Sequence, residues 1–422
     1  MATKTWVGGA FAQKQITNVV PGGTIQATDV FIIQIGSKQL TFVATTTTAT
    51  HVVTGLYNAY TAAIELGGCP EWAELTASNG TTLLQFVANE AGVPFTIQAS
   101  TVDGGGANTQ TLVATQAQLA TGPNHWDNAL NWFPSTAPTT GDAIVINGST
   151  PILYGMPTSA LTITTLDIPA SFTGQVGLPD THGSGQNTYP EYRQKRLIVA
   201  PIGAVNIGSG PGNASTLVRL DSQNTAAGTI SIARTGNPRD TNIGAVEIVT
   251  GSVANAIEVL GGSVTIGSRD GSTLANTATI STVKLGVGTL VLKSGTSVTG
   301  AITVSSGTLT TDCAVAAVTQ YEGTWNHLSG TANTLLVNGG TANYSSTGAI
   351  GTCTVGASGT LDVSGDLSTK TFGIITGFQG GEVRDPNGVI TDPIFIGVGT
   401  HIGKDGFQVT LPPGRKYTVT VA

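Results

Sequence analysis

The 422 residues include 17 Lys+Arg against 24 Asp+Glu, a net charge of −7. No basic run is present to neutralise successive phosphates, which excludes a nucleic-acid partner. Fifty-seven glycines among frequent Thr, Ser, Val and Ala, with only 10% charged residues, describe many short strands joined by tight turns and exclude a bundle of long helices.

The opening stretch, MATKTWVGGAFAQKQ, lacks the apolar core of a signal peptide, and no segment reaches the roughly 18 apolar residues of a membrane span. The expectation is a product made in the cytoplasm, with no membrane partner. Cys69, Cys313 and Cys353 are odd in number, far apart and outside any CxxC or zinc-like spacing. They read as buried small residues, with Cys313 and Cys353 open to lying on stacked turns.

Residues 29–46, DVFIIQIGSKQLTFVATT, alternate on either side of Gly36-Ser37 and predict a hairpin. Residues 50–66 place Val52, Val53, Leu56, Tyr60, Ala63 and Ile64 at helical spacing, with Thr50 as the cap and Gly67-Gly68 as the stop. Three more strands are expected at 72–78, 81–89 and 93–100, which makes residues 1–120 a small α+β domain. Residues 102–110, VDGGGANTQ, read as its flexible link.

The character changes at residues 124–146. Trp126, Trp132 and Phe133 form an aromatic group suited to plug the open end of a stacked β structure, so they are the expected N-terminal cap. Gly-x-apolar steps then recur at Gly203, Gly244, Gly262, Gly288, Gly307, Gly323, Gly340 and Gly359, with second short strands between them, such as Ile257–Val259 and Leu335–Val337. A short, irregular repeat with two or more strands per period is the signature of a β-solenoid, because no coil can bury its apolar edge alone. The fold class is therefore mainly β: a right-handed parallel β-helix over residues 121–385, preceded by the α+β domain. The alternative is a set of antiparallel β-sandwich repeats. Residues 386–422 read as a C-terminal β cap or subunit contact, with two strands around Pro412-Pro413-Gly414.

Enzymes built on β-helices gather carboxylates on one face of adjacent coils. Here Glu247, Glu258, Asp270, Asp312, Glu322, Asp362 and Asp366 do not recur at matching offsets from the repeat glycines and read as solvated loop charges. No catalytic, cofactor-binding or metal-binding residue is assigned, and no cofactor is expected. The densest polar stretch is DTHGSGQNTYPEYRQKR, residues 180–196. Asp180 and His182 are too few ligands for a metal. Tyr189, Tyr192 and Arg193 are residue types that anchor interfaces, so they are the candidate contact with a subunit or partner.

Residues 6–45, WVGGAFAQKQITNVVPGGTIQATDVFIIQIGSKQLTFVAT, and residues 70–97, PEWAELTASNGTTLLQFVANEAGVPFTI, resemble a domain of bacteriophage virion structural proteins. Residues 127–146, DNALNWFPSTAPTTGDAIVI, are similar to the segment that opens β-helical regions in phage fibre proteins and autotransporter-like adhesins. The resemblance implies a non-enzymatic virion component: a capsid decoration protein, head fibre or tail fibre, docked through its N-terminal domain. Its implied partners are phage capsid or tail proteins and further copies of itself, as a homotrimer or other symmetric oligomer. Two alternatives stand beside it. One is a tailspike-like receptor-binding protein or polysaccharide depolymerase acting on a host glycan, with carboxylates meeting between subunits. The other is a bacterial surface adhesin.

Overall fold

The computed structural model describes residues 2–106, 109–183, 188–238, 244–269, 278–413 and the backbone of 419–421. Asp270 and Gly414, both singled out above, lie outside the described residues.

The chain is mainly β, and most of its strands belong to one long, mostly parallel sheet consistent with a β-solenoid. Two ladders carry it. The first runs through Ala143–Ile146, Thr165–Ile168, Val205–Ile207, Thr229–Ile232, Asn255–Val259, Ala278–Leu285, Thr296–Val304 and Ala314–Gln320. The second runs through Leu161–Ile163, Leu197–Pro201, Val218–Ser222, Val246–Thr250, Ser263–Ser268, Thr289–Leu292, Thr308–Asp312 and Thr324–Ser329. The long strands Ala332–Tyr344 and Ile350–Asp362 then contribute to both. Every described pairing within these ladders is parallel, which separates the chain from an antiparallel sandwich.

Register explains the composition. The first ladder stacks Ile144, Leu166, Val205, Ile230, Ile257, Val283, Ile302, Val318, Leu335, Cys353, Ile375 and Ile394 directly over one another. All are buried. At the usual strand spacing this column is about 50 Å long. Each such side chain contributes about 1.5–3 kcal/mol by leaving water, but only when the coils above and below are present. Cys353 fills one step of the column as a small apolar group, and burial pushes its thiol up to about 12. The three cysteines are free, Cys313 buried and Cys69 half-buried.

The repeat glycines mark the turn between the two ladders. Gly262, Gly288, Gly307, Gly323 and Gly340 all have positive φ, and each of the last four sits against the carbonyl oxygen of the one before. Those carbonyls accept the backbone N–H of the following coil's threonine, as Gly288 does from Thr308 at 2.8 Å and Gly307 from Thr324 at 2.8 Å.

A neighbouring column changes character along the rod. Leu220, Ile248, Ile266 and Leu292 give way to Thr311, His327 and Tyr344. Thr311 Oγ1 accepts from the Trp325 indole at 3.0 Å and lies 2.7 Å from His327 Nδ1, while His327 Nε2 lies 3.1 Å from the Gly330 carbonyl. Donation from Thr311 to Nδ1 and from Nε2–H to Gly330 satisfies a neutral ring.

Burial lowers the His327 pKa from 6.5 to about 4, against the Gly330 carbonyl and the Asp312 charge. Between those values the unfolded chain binds a proton that the folded chain refuses. The contribution is therefore complete above the unfolded value and is lost as pH falls through the window. Acidification from pH 7 to 4 is expected to remove roughly 3 kcal/mol through this residue. Urea unfolding of wild type and His327→Gln across that range checks it: the variant should lose distinctly less stability on acidification, and parallel curves would refute the assignment.

Residues 16–118 build a separate α+β unit with its own core. One antiparallel sheet orders Leu75–Asn79, Leu84–Ala88, Ile16–Gly22 and Thr111–Gln118, and a second orders Lys38–Val43, Val30–Ile35 and Gln98–Val102. The helix Ala49–Glu65 buries Val52, Val53 and Leu56 with Phe31, Trp72 and Phe86. The hairpin about Gly36-Ser37 forms as the alternation predicts. Thr48, not Thr50, occupies the cap position, and its side chain makes no capping bond. Gly67, at φ +66°, follows the helix end. No helix among the described residues is long and apolar enough to cross a membrane.

Three boundaries differ from expectation. Thr3–Trp6 pairs in parallel with Ala143–Ile146 and antiparallel with Trp132–Phe133, so the first strand belongs to the solenoid's first rung. Thr111–Gln118, beside the expected link, is a strand pairing with Ile16–Gly22. Ile394–Ile396, Gln408–Thr410 and Val419–Val421 continue the two ladders in parallel, so the parallel sheet does not end at 385.

Candidate functional site

Trp126 and Trp132 close the first rung. Their rings cross at 4.6 Å, Trp132 meets Trp6 edge-on at 5.0 Å, and all three join the solenoid core. Trp6 was not anticipated, because its partner strand lies some 140 positions away. Phe133 departs from the expected cap: the strand alternation turns its ring outward, 69% exposed. Phe133→Ser is accordingly expected to shift stability by less than about 0.5 kcal/mol in a urea titration.

The richest polar constellation is the excursion around residues 178–196, which fastens the α+β unit to the solenoid. It folds back through a short antiparallel pair, Thr181–His182 with Tyr189–Pro190. Toward the solenoid, Asp180 receives both Arg219 terminal nitrogens, at 3.1 and 2.9 Å, and Lys195 Nζ at 2.7 Å. Arg219 is fully buried on the second ladder, its Nε 3.2 Å from Glu247 Oε2, and Glu247 Oε1 takes Arg196 at 3.0 Å. Burial works against the Asp180 charge, but the hydrogen bonds from Arg219 and Lys195 outweigh it and hold the carboxyl well below the usual range. Glu247 is thus a buried ion-pair partner, not the solvated loop charge its sequence position suggested.

Toward the α+β unit the excursion converges on Glu74, at the end of the short turn Trp72–Glu74. Glu74 Oε1 accepts from the Tyr189 hydroxyl at 2.5 Å and lies 2.8 Å from His182 Nε2, while Oε2 pairs with Arg193. The same guanidinium donates to Glu191 Oε2 at 3.2 Å and, from Nε, to the Pro94 carbonyl at 2.9 Å. His182 Nδ1 faces Glu191 at 3.4 Å. Arg193 also lies 4.8 Å from the Tyr192 ring centre. Burial alone would lower the Arg193 pKa, but Tyr192, Glu191 and Glu74 raise it above its ordinary value.

Tyr189, Tyr192 and Arg193, expected at a contact with a subunit or partner, pack instead against the α+β unit of the same chain. Tyr189 is 4% exposed, and Tyr192 packs on the α+β core beside Gly36, where an added Cβ would lie 3.3 Å from its ring. Their residue types signalled anchoring. Their partners, Glu74 and Pro94, sit about a hundred positions upstream and carried no signal of their own.

Comparison of the chain with protein-family models, curated proteins and solved structures gives no match.

Proposed function

We propose that this chain is a non-enzymatic structural component of a phage particle, a capsid decoration or fibre protein. In this reading the solenoid is a right-handed parallel β-helix, the α+β unit docks on the virion, and copies assemble with one another as a symmetric oligomer. The resemblance of residues 6–97 and 127–146 to virion and fibre segments supplies the class. The observation that carries the mechanical part is the unbroken column from Ile144 to Ile394, joined to the α+β unit by the buried Glu74–Arg193–Glu191 link. Continuous burial makes a stiff rod, and the link fixes its orientation to whatever the head grips.

Cryo-electron microscopy of purified virions from a phage that encodes this chain tests the reading. Density in a symmetric array, with the α+β unit facing the shell or tail and the rod projecting or bridging, is the expected result. Particles that lack the chain, or a purified protein that shortens host capsule or lipopolysaccharide, would overturn it.

A further inference from the structure

Four Asn-Gly pairs occur in the chain, at residues 79–80, 147–148, 338–339 and 387–388. An asparagine followed by glycine can close on itself: the glycine nitrogen attacks the side-chain amide carbon, because no Cβ on the second residue obstructs the approach. What distinguishes the four is whether the fold leaves the attacking nitrogen and the departing one available.

In three pairs it does not. Gly80 N–H donates to the Leu83 carbonyl at 3.0 Å, and Asn79 Nδ2 donates to Thr54 Oγ1 at 3.3 Å. Gly388 N–H donates to the Asp385 carbonyl at 3.2 Å, and Asn387 Nδ2 to the Ser364 carbonyl at 3.0 Å. Asn338 and Gly339 lie inside the strand Ala332–Tyr344, with Gly339 buried and in register with Ser358.

Asn147-Gly148 is different. It forms the exposed corner after Ala143–Ile146, Gly148 has a φ of +89°, and nothing lies within 4 Å of an added Cβ. Gly148 N–H donates to the Oδ1 of Asn147 at 2.7 Å, which brings the nitrogen to about 3–3.5 Å from the amide carbon, the near-attack range. Ser171 Oγ donates to the same oxygen at 2.8 Å, where negative charge develops as the carbon is attacked. Asn147 Nδ2, the nitrogen that must leave, has no hydrogen-bond partner among the described residues.

We propose that Asn147 is a self-modifying site, converted to aspartate and isoaspartate through a cyclic imide. Hydroxide takes the Gly148 N–H proton and the N–Cγ bond forms. The Cγ–Nδ2 bond then breaks, and ammonia departs with a proton from water. A second water opens the imide at either carbonyl, so nothing is oxidised or reduced. Both products add a negative charge to the corner. Isoaspartate also lengthens the main chain by a carbon, close to the Thr150 carbonyl that accepts the Trp6 indole at 2.8 Å. This chemistry is independent of whether the chain belongs to a virion.

Peptide mass spectrometry of the folded full chain held at about pH 8 tests the proposal, each conversion read as a gain of about one mass unit. Asn147 is expected to convert at least about tenfold faster than Asn79, Asn338 or Asn387, and in urea the four rates should converge. Ser171→Ala, a change at an exposed side chain, should slow conversion at Asn147 severalfold. Conversion at Asn147 no faster than at the other three, the same spread of rates in urea as in the folded chain, or an unchanged rate in Ser171→Ala would overturn it.

Discussion

Arg193→Ala is expected to destabilise the attachment of the α+β unit by about 3–5 kcal/mol, the usual result of removing one partner from a buried ion pair. Both carboxylates served by Arg193 suffer. Glu191 has a fully buried side chain and Glu74 is 22% exposed, so neither can recover full hydration. The Pro94 carbonyl also loses its donor from Nε. Because these groups sit at the junction, the loss should appear locally before it appears globally. Hydrogen exchange at residues 72–75 and 189–193 should accelerate, while the solenoid strands beyond about residue 280 keep their protection. A companion variant separates charge from packing. Arg193→Met with Glu191→Gln removes one buried charge of each sign and keeps the volume, so it should recover a substantial part of the loss. Uniform exchange acceleration along the whole rod, or no recovery in the double variant, would show that Arg193 does not act as the local fastener.

The long, mostly parallel sheet was legible in the sequence for a physical reason. A coil that buries its edge only against a similar coil must repeat its turn, and the turn demanded glycine at positions such as Gly288, Gly307 and Gly323. The hairpin at residues 30–43 and the helix at 49–65 were legible because alternation and helical spacing are local. What the sequence hid depends on distant partners. Trp6 joins the solenoid through Ile146, and Arg193 finds Glu74 and Pro94; no local pattern encodes either pairing. Glu247 read as a loop charge because the carboxylates do not recur at matching offsets from the repeat glycines. The excursion covering it, with Arg196 and Asp180, converts the outer face of its strand to interior. Phe133 is the converse case, an aromatic side chain sent outward because Trp132 beside it takes the inward position.

Gly307→Ala is expected to cost about 4 kcal/mol, a loss that follows from two separate demands on one position. The first is conformational. Gly307 sits at φ +76°, where an alanine pays about 1–2 kcal/mol against its steric preference. The second is spatial. An added Cβ would lie 2.4 Å from the Gly288 carbonyl oxygen, which already accepts the Thr308 N–H at 2.8 Å. The three nearest atoms are all Gly288 backbone, with no flexible side chain to yield, so the coils must separate at this corner and weaken that bond, adding about 1–3 kcal/mol. Gly148→Ala provides the control. Its φ is +89°, but nothing lies within 4 Å of the added Cβ, so only the conformational cost of about 1–2 kcal/mol should appear. Urea unfolding of the two variants beside wild type measures the difference. Gly323→Ala, with the Gly307 carbonyl oxygen 2.2 Å from its added Cβ, should behave like Gly307→Ala. Equal losses at Gly148 and Gly307 would mean that the glycines serve only the turn conformation. A loss confined to Gly307 and Gly323 would mean that the spacing between coils is itself set by the absence of a side chain.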